Sequence, residues 1–230
     1  DFSMCDTVPE LSAGSNEASQ AVIRMFGCTR DGNSVTVHVH GFRSYFYVDC
    51  PTGLTAQSTT SIQVALNDKL RSTMKDSPRV PVLNVEAVDK QSVYFYNFNR
   101  LDTFFKITCA NPAAFKSAAS LMESGLELGR GPVQFKLFES KVSHELRFMI
   151  DHEIVGCSWV SLSGGAWKRR PWLSGIGEVA TTTNTQAEYD IFYDDVVSHK
   201  PENEFMDVAP LRVLSFDIEC AGRPGVFPEP

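Results

Sequence analysis

Leu211-Arg-Val-Leu-Ser-Phe-Asp-Ile-Glu-Cys220 carries four apolar residues, Leu211, Val213, Leu214 and Phe216, into Asp217-Ile218-Glu219. The run is rich in β-formers and short enough for a buried strand. Successive side chains of a strand leave opposite faces, so Asp217 and Glu219 share one face while Phe216 and Ile218 share the other. Two carboxylates on one face of an apolar strand are costly to bury without a cation. Oxygen ligands in that arrangement suit Mg²⁺ or Mn²⁺. A bare Asp-x-Glu recurs by accident, so the pair gains meaning only from its flanks and from the chain before it.

Working back from that strand, the patterning alternates between periods of two and of about four. Residues 1–20 are polar and read as an entry arm. Val22–Phe26 and Ser34–His40 flank the turn Arg30-Asp-Gly-Asn33 and predict a hairpin. Arg43–Asp49 predicts a further strand. Ile62, Leu66, Leu70 and Met74 recur every four residues and predict a helix over 59–75. Strands are expected at Val80–Val88, Val93–Tyr96 and Phe104–Cys109, then a helix opened by Asn111-Pro112 and closed by Gly125, then a strand at Val133–Phe138. Taking Val93–Tyr96 as an extra arm leaves β-α-β-β-α-β over about 43–138, an α+β, ferredoxin-like unit. RNA-recognition modules share that layout and stack bases on strand aromatics. The Lys/Arg-Gly-Phe/Tyr pattern of such modules is absent, so Tyr45, Tyr47 and Phe105 read mainly as packing. Ser143 caps a short helix whose expected buried stripe is Leu146, Met149 and Ile150. Strands near Cys157–Leu162 and Tyr189–Tyr193 are expected to join the N-terminal hairpin in a small OB-like β-barrel.

Composition narrows the function classes. A net charge of −7 counts against a purely electrostatic duplex binder. No apolar run approaches the roughly 20 residues a membrane helix needs, so no membrane partner is expected. Six cysteines, at 5, 28, 50, 109, 157 and 220, never fall in C-x-x-C. That spacing argues against a zinc or disulfide framework and fits a reducing compartment. The start, Asp1-Phe-Ser-Met-Cys5, lacks an initiator Met and a signal-peptide pattern, so the chain reads as a piece of something longer.

With its flanks, the closing strand becomes specific. Ser215-Phe-Asp-Ile-Glu-Cys220 followed by Ala221-Gly-Arg-Pro-Gly-Val-Phe-Pro-Glu-Pro230 resembles the first exonuclease motif of the family B DNA polymerases, in its delta-type form. Glu145-Leu-Arg-Phe-Met-Ile-Asp151, Ile154-Val-Gly-Cys-Ser-Trp159, Asp195-Val-Val-Ser-His199 and Ala209-Pro-Leu-Arg212 are similar to segments of that family's N-terminal domain. His38-Val-His-Gly-Phe42 with Tyr45-Phe-Tyr47 extends the match toward the front. The resemblance implies an N-terminal domain over 21–210, then, over 211–230, the first strand of a ribonuclease H-like 3′–5′ exonuclease domain. It implies that the whole protein copies a DNA template-primer and proofreads with two metal ions, Mg²⁺ or Mn²⁺. Asp217 would bridge both ions and Glu219 would bind the ion that carries the nucleophile. The family draws two further aspartates from later motifs, so the chain by itself is expected to be inactive and to hold no metal. Accessory subunits and a sliding clamp are implied through regions outside this chain, as is a nuclear location. The alternatives are a standalone single-stranded nucleic-acid-binding module and a viral delta-like polymerase.

Trp167-Lys-Arg-Arg-Pro-Trp172 is the basic stretch with aromatics interleaved. Lys168, Arg169 and Arg170 are candidates for phosphates, and Trp167 or Trp172 for stacking an unpaired base. The acid-rich run from Glu188 to Asp207 reads as outer surface that repels DNA. His38 and His40 alternate onto one strand face without a third or fourth ligand nearby, which reads as partly exposed strand histidines.

Overall fold

The computed structural model describes residues 2–6, 19–75, 78–93, 98, 100–129, 131–172, 180–210, 212–217 and 225. The elements run β1 (Phe2–Asp6), β2 (Ser19–Cys28), β3 (Ser34–His40), β4 (Tyr45–Asp49), α1 (Thr59–Thr73), β5 (Val82–Lys90) and β6 (Asp102–Cys109). They continue through α2 (Pro112–Ser124), β7 (Leu126–Glu127), β8 (Pro132–Val133), β9 (Leu137–Phe138) and α3 (His144–Asp151). β10 (Val160–Leu162), β11 (Lys168–Arg169), β12 (Ala187–Phe192) and β13 (Val196–Ser198) follow. The chain is therefore a mixed α+β fold with two principal sheets.

The first sheet has the order β5-β6-β4-β9, with every neighbouring pair antiparallel. Period-two alternation sends Phe46, Val48, Phe105, Ile107 and Val85 to one face. There they meet Ile62, Leu66 and Leu70 of α1 and Ala114, Phe115, Ala118 and Met122 of α2 in one core. Buried Asn67 ties α1 to the sheet: its Oδ1 accepts from the Val82 N–H at 2.8 Å and its Nδ2 donates to the Val82 carbonyl at 3.0 Å. α2 begins and ends where its residues indicate. Asn111 Oδ1 accepts from the Ala114 N–H at 2.8 Å, Pro112 sits in the first turn, and Gly125 leaves the helix at φ +121°. Two strand expectations change. Val93 takes no strand, and Tyr94–Tyr96 lie outside the described residues. The expected strand Val133–Phe138 is two short bridges instead, because β8 pairs with β7, β9 pairs with β4, and Phe135 between them turns into the core.

The second sheet has the order β1-β2-β3-β12-β11. β2 and β3 form the expected antiparallel hairpin, and β12 lies parallel to β3 with Asp190 opposite His38. β1 and β11 end this sheet and do not pair with each other. The β10–β13 ribbon and α3 pack over its apolar side, where Ile23, Val37, Val39, Phe42, Phe148, Ile191 and Val196 share a second core. Gly41, just past β3, has φ +84°, and a Cβ there would overlap the Phe192 ring. Only glycine fits that combination of backbone and contact.

α3 corrects the expected stripe. His144, Arg147 and Phe148 are its buried residues, while Leu146 and Ile150 are 48% and 53% exposed. The polar members of the buried face have partners: His144 Nδ1 shares a hydrogen bond with Ser44 Oγ, and Arg147 meets Glu139 at 2.7 Å. Ser143 does cap the helix, its Oγ accepting from the Leu146 N–H at 3.3 Å. The cluster that buries Phe148 decides the face, with Phe42 edge-on at 5.4 Å.

Candidate functional site

The carboxylate stretch departs from the expected strand. Residues 212–217 take no regular structure, and Val213, Leu214 and Phe216 are 88%, 81% and 75% exposed. A strand of this composition is stabilised by a hydrogen-bonded neighbour that covers its apolar face, and none of the described strands pairs with it. Asp217 is exposed, and Glu219 lies outside the described residues. Among the described residues no three His, Cys, Asp or Glu side chains gather to hold a metal ion. Hard carboxylate oxygens of the Asp217–Glu219 type suit Mg²⁺ or Mn²⁺, yet two carboxylates fall short of the six oxygen ligands such an ion takes.

The basic loop divides into two populations. Lys168 and Arg169 form β11, an edge strand paired with Asp190 and Tyr189 of β12, and both are exposed. Trp167 is 43% exposed with its ring edge-on to Tyr189 at 5.1 Å, and Trp172 is 65% exposed. Arg170, expected beside them as a phosphate contact, is buried. Its Nε and Nη2 donate to Asp190 Oδ2 and Oδ1 at 2.8 and 2.6 Å. That fork holds Arg170 against the protein's own carboxylate and withdraws it from any phosphate.

Arg170 belongs to a buried ionic network that no local pattern of residues announces. His38 Nε2 meets Glu188 Oε2 at 2.7 Å and His40 Nε2 meets Asp190 Oδ1 at 2.6 Å, with all four side chains buried. A carboxylate only accepts, so each Nε2 carries the hydrogen, and neither Nδ1 meets a hydrogen-bond partner among the described residues. Burial would raise the Glu188 carboxyl. Donation from the Thr183 hydroxyl, the Thr182 and Thr183 amides and His38 outweighs it and holds the group at about 2. Burial likewise works against Asp190, and hydrogen bonds from His40 and Arg170 hold it at about 2. His38 itself is lowered, chiefly by burial. Two expectations are thereby corrected. His38 and His40 are fully buried rather than partly exposed, and the acid-rich run starts with Glu188 and Asp190 inside the sheet. The parallel pairing of β3 with β12 places acids beside the histidines, which single-strand alternation cannot reveal.

The face of the first sheet opposite α1 and α2 carries Tyr45, Tyr47 and Phe104. Tyr47 and Phe104 are buried. Lys106 Nζ and the Arg147 guanidinium lie 4.4 and 4.6 Å from the Tyr45 ring centre, and Lys90 Nζ lies 5.2 Å from that of Tyr47. The Tyr45 hydroxyl donates to Asp151 Oδ1 at 2.8 Å, and burial with this carboxylate pushes the phenol up. These rings are packed and capped by the protein's own cations, not laid open as a base-stacking platform.

A last cluster fastens the approach to the carboxylates. Arg30, in the β2–β3 turn, places its guanidinium 5.5 Å from the ring centres of both Trp159 and Phe205. Phe205 stacks on His199 at 3.9 Å with 7° between the planes. Trp159 Nε1 donates to the Asp207 carbonyl at 2.7 Å, and Cys28 Sγ lies 3.8 Å from the Pro210 carbonyl oxygen.

Residues 135–230 match the family described as DNA polymerase family B, exonuclease domain. Residues 41–116 match the DNA polymerase delta catalytic subunit-like N-terminal domain. The DNA polymerase delta catalytic subunit of Arabidopsis thaliana is 39% identical over 232 residues, covering 100% of this chain and 20% of that protein. That of Bos taurus is 39% identical over 219 residues, covering 94% of this chain and 19% of that protein. The Schizosaccharomyces pombe subunit is 35% identical over 218 residues, 93% of this chain and 19% of its own length. A solved family B DNA polymerase from the archaeon Pyrobaculum calidifontis aligns over 83% of this chain and 19% of that chain at 21% identity, with a TM-score of 0.48. The chain thus spans about a fifth of the length of these curated relatives. A delta-type N-terminal match thus lies in front, and a match to the family B DNA polymerase exonuclease domain runs through Asp217 and Glu219.

Proposed function

We propose that this chain is the N-terminal part of a replicative, DNA-directed DNA polymerase with a 3′–5′ proofreading exonuclease, and that it braces that exonuclease. The observation that carries the reading is Ser215-Phe-Asp-Ile-Glu-Cys220 lying inside a region matched to the family B exonuclease domain. In this reading residues 21–210 are the polymerase's N-terminal domain and 211–230 open the exonuclease domain. The order β5-β6-β4-β9 with α1 and α2 on one face supports a ferredoxin-like unit. The β2–β3 hairpin joined by β12 supports an OB-like region beside it.

Asp217 and Glu219 are the residues that would hold Mg²⁺ or Mn²⁺, together with carboxylates from later in the polymerase. The ions would supply an activated water and charge neutralisation at the leaving 3′ oxygen. This chain's own contribution is to place Asp217 and Glu219 and to lie along single-stranded template. Lys168 and Arg169 with Trp167 and Trp172 are the candidate contacts: two exposed cations on an edge strand flanked by exposed indoles. Template-primer DNA is the substrate, accessory subunits and a sliding clamp are partners of other regions, and the compartment is the nucleus. The test is the full-length polymerase carrying Asp217→Ala with Glu219→Ala. Excision of a mispaired 3′ terminus should disappear while extension of a matched primer persists. Retained excision would refute the assignment.

A further inference from the structure

The segment between the second sheet and the carboxylate pair is held at several points within a few residues. Arg30 lies over both the Trp159 and Phe205 rings at 5.5 Å and its Nη2 donates to the Glu204 carbonyl at 3.3 Å. His199, stacked beneath Phe205, shares a hydrogen bond of 2.7 Å with Ser161 Oγ on β10 and donates its backbone N–H to the Trp159 carbonyl at 3.0 Å. Trp159 Nε1 fixes Asp207 at 2.7 Å, and the Pro210 ring lies beside Gly32 in the same turn as Arg30. Three separate elements, the β2–β3 turn, the strand entry at Trp159 and the residues after β13, therefore converge on 203–210. Neither apolar core contains any of these side chains.

We propose that this clasp sets where the exonuclease carboxylates stand: Arg30, Trp159, His199 and Phe205 are positioning residues for 3′–5′ excision, acting through segment 203–210. The inference rests on the exonuclease reading above. Asp217 follows Pro210 by seven residues, a reach of at most about 25 Å when extended. A fixed Pro210 therefore restricts both the place and the direction from which the chain reaches Asp217. An excision site depends on donor placement at the ångström level, and a misplacement of about 1 Å can cost on the order of a hundredfold in rate. Partial loosening of the clasp is expected to cost about tenfold.

The experiment uses the full-length polymerase as wild type, Arg30→Ala, Phe205→Ala, Phe205→Tyr and Asp217→Ala, assayed for excision of a mispaired primer and extension of a matched one. Arg30→Ala and Phe205→Ala should lower the kcat of excision about tenfold with KM and extension unchanged, and Phe205→Tyr, which keeps the stack on His199, should behave as wild type. If Asp217→Ala abolishes excision while Arg30→Ala and Phe205→Ala leave it unchanged, the clasp is overturned and the exonuclease reading stands. Extension and excision falling together would also overturn it, because the cluster would then serve general stability. Excision that survives Asp217→Ala removes the exonuclease reading and the clasp with it.

Discussion

Replacing Arg170 by Met tests the buried network most sharply. The guanidinium is 4% exposed and donates twice to Asp190, itself 3% exposed. Met keeps much of the stem volume and removes the charge. Asp190 then retains only His40, while Glu188 keeps its Thr182 and Thr183 donors. Leaving one member of a buried pair without its partner costs about 3–5 kcal/mol. The surviving histidine bond puts the expectation near the lower end, about 3 kcal/mol. Arg169→Ala, one residue away on an exposed edge, should stay within about 0.5 kcal/mol of wild type. Arg170→Met with Asp190→Asn removes both charges while keeping an acceptor for His40, so it should recover more than about 1 kcal/mol of the single-variant loss. Urea unfolding of this chain, followed by tryptophan fluorescence, supplies the measurement, since Trp167 packs edge-on against Tyr189 of the same sheet. An Arg170→Met loss no larger than that of Arg169→Ala, at unchanged denaturant slope, would refute the network as a stabilising element.

Acid should weaken the fold in a defined order. Burial holds His144 at about 4, below its ordinary 6.5, so the stability of its neutral form is present above pH 6.5 and is lost as pH falls through 4. Glu188 and Asp190 are depressed to about 2 from 4.5 and 3.8, so their contribution is present above those values and disappears as pH falls toward 2. Urea midpoints at pH 7, 5 and 3.5 should therefore decline progressively, and a flat profile would contradict the assignment. Gly41→Ala should cost about 3 kcal/mol, from positive-φ strain together with overlap of the new methyl with the Phe192 ring; circular dichroism during urea unfolding reads the shift, and a neutral result would rule out that overlap. For the exposed part of the basic loop, Lys168→Ala with Arg169→Ala should weaken binding of a labelled single-stranded oligonucleotide about tenfold at low salt, with a shallower salt slope. Anisotropy titrations that show no change would remove these residues from the interface.

Local patterns carried most of the elements and failed where distant strands meet. The α1 stripe of Ile62, Leu66 and Leu70 and the Asn111-Pro112 start of α2 follow from periodicity and capping chemistry confined to a few residues. The β3–β12 pairing joins segments whose interacting side chains are 150 residues apart. No local signal therefore told that Glu188, Asp190 and Arg170 would be drawn inward to His38 and His40. In the basic loop, three consecutive cations look alike until the edge strand ends at Arg169 and the chain turns Arg170 toward Asp190. In α3 the choice between two helical stripes was settled by a contact from Phe42, again a distant residue. Ser215–Cys220 lies within the region matched to the family B exonuclease domain, whereas the strand expected to carry the carboxylate pair needs neighbours that the described sheets do not provide.

The central claim is that this chain braces an exonuclease site and carries only part of it. Mg²⁺-dependent excision of a mispaired 3′ terminus, measured side by side for this chain and for the full-length polymerase with and without Asp217→Ala, tests it directly. The account predicts no excision by the chain, and excision by the full-length enzyme that vanishes with Asp217→Ala. Excision by the chain alone, or by the full-length Asp217→Ala enzyme, would contradict it.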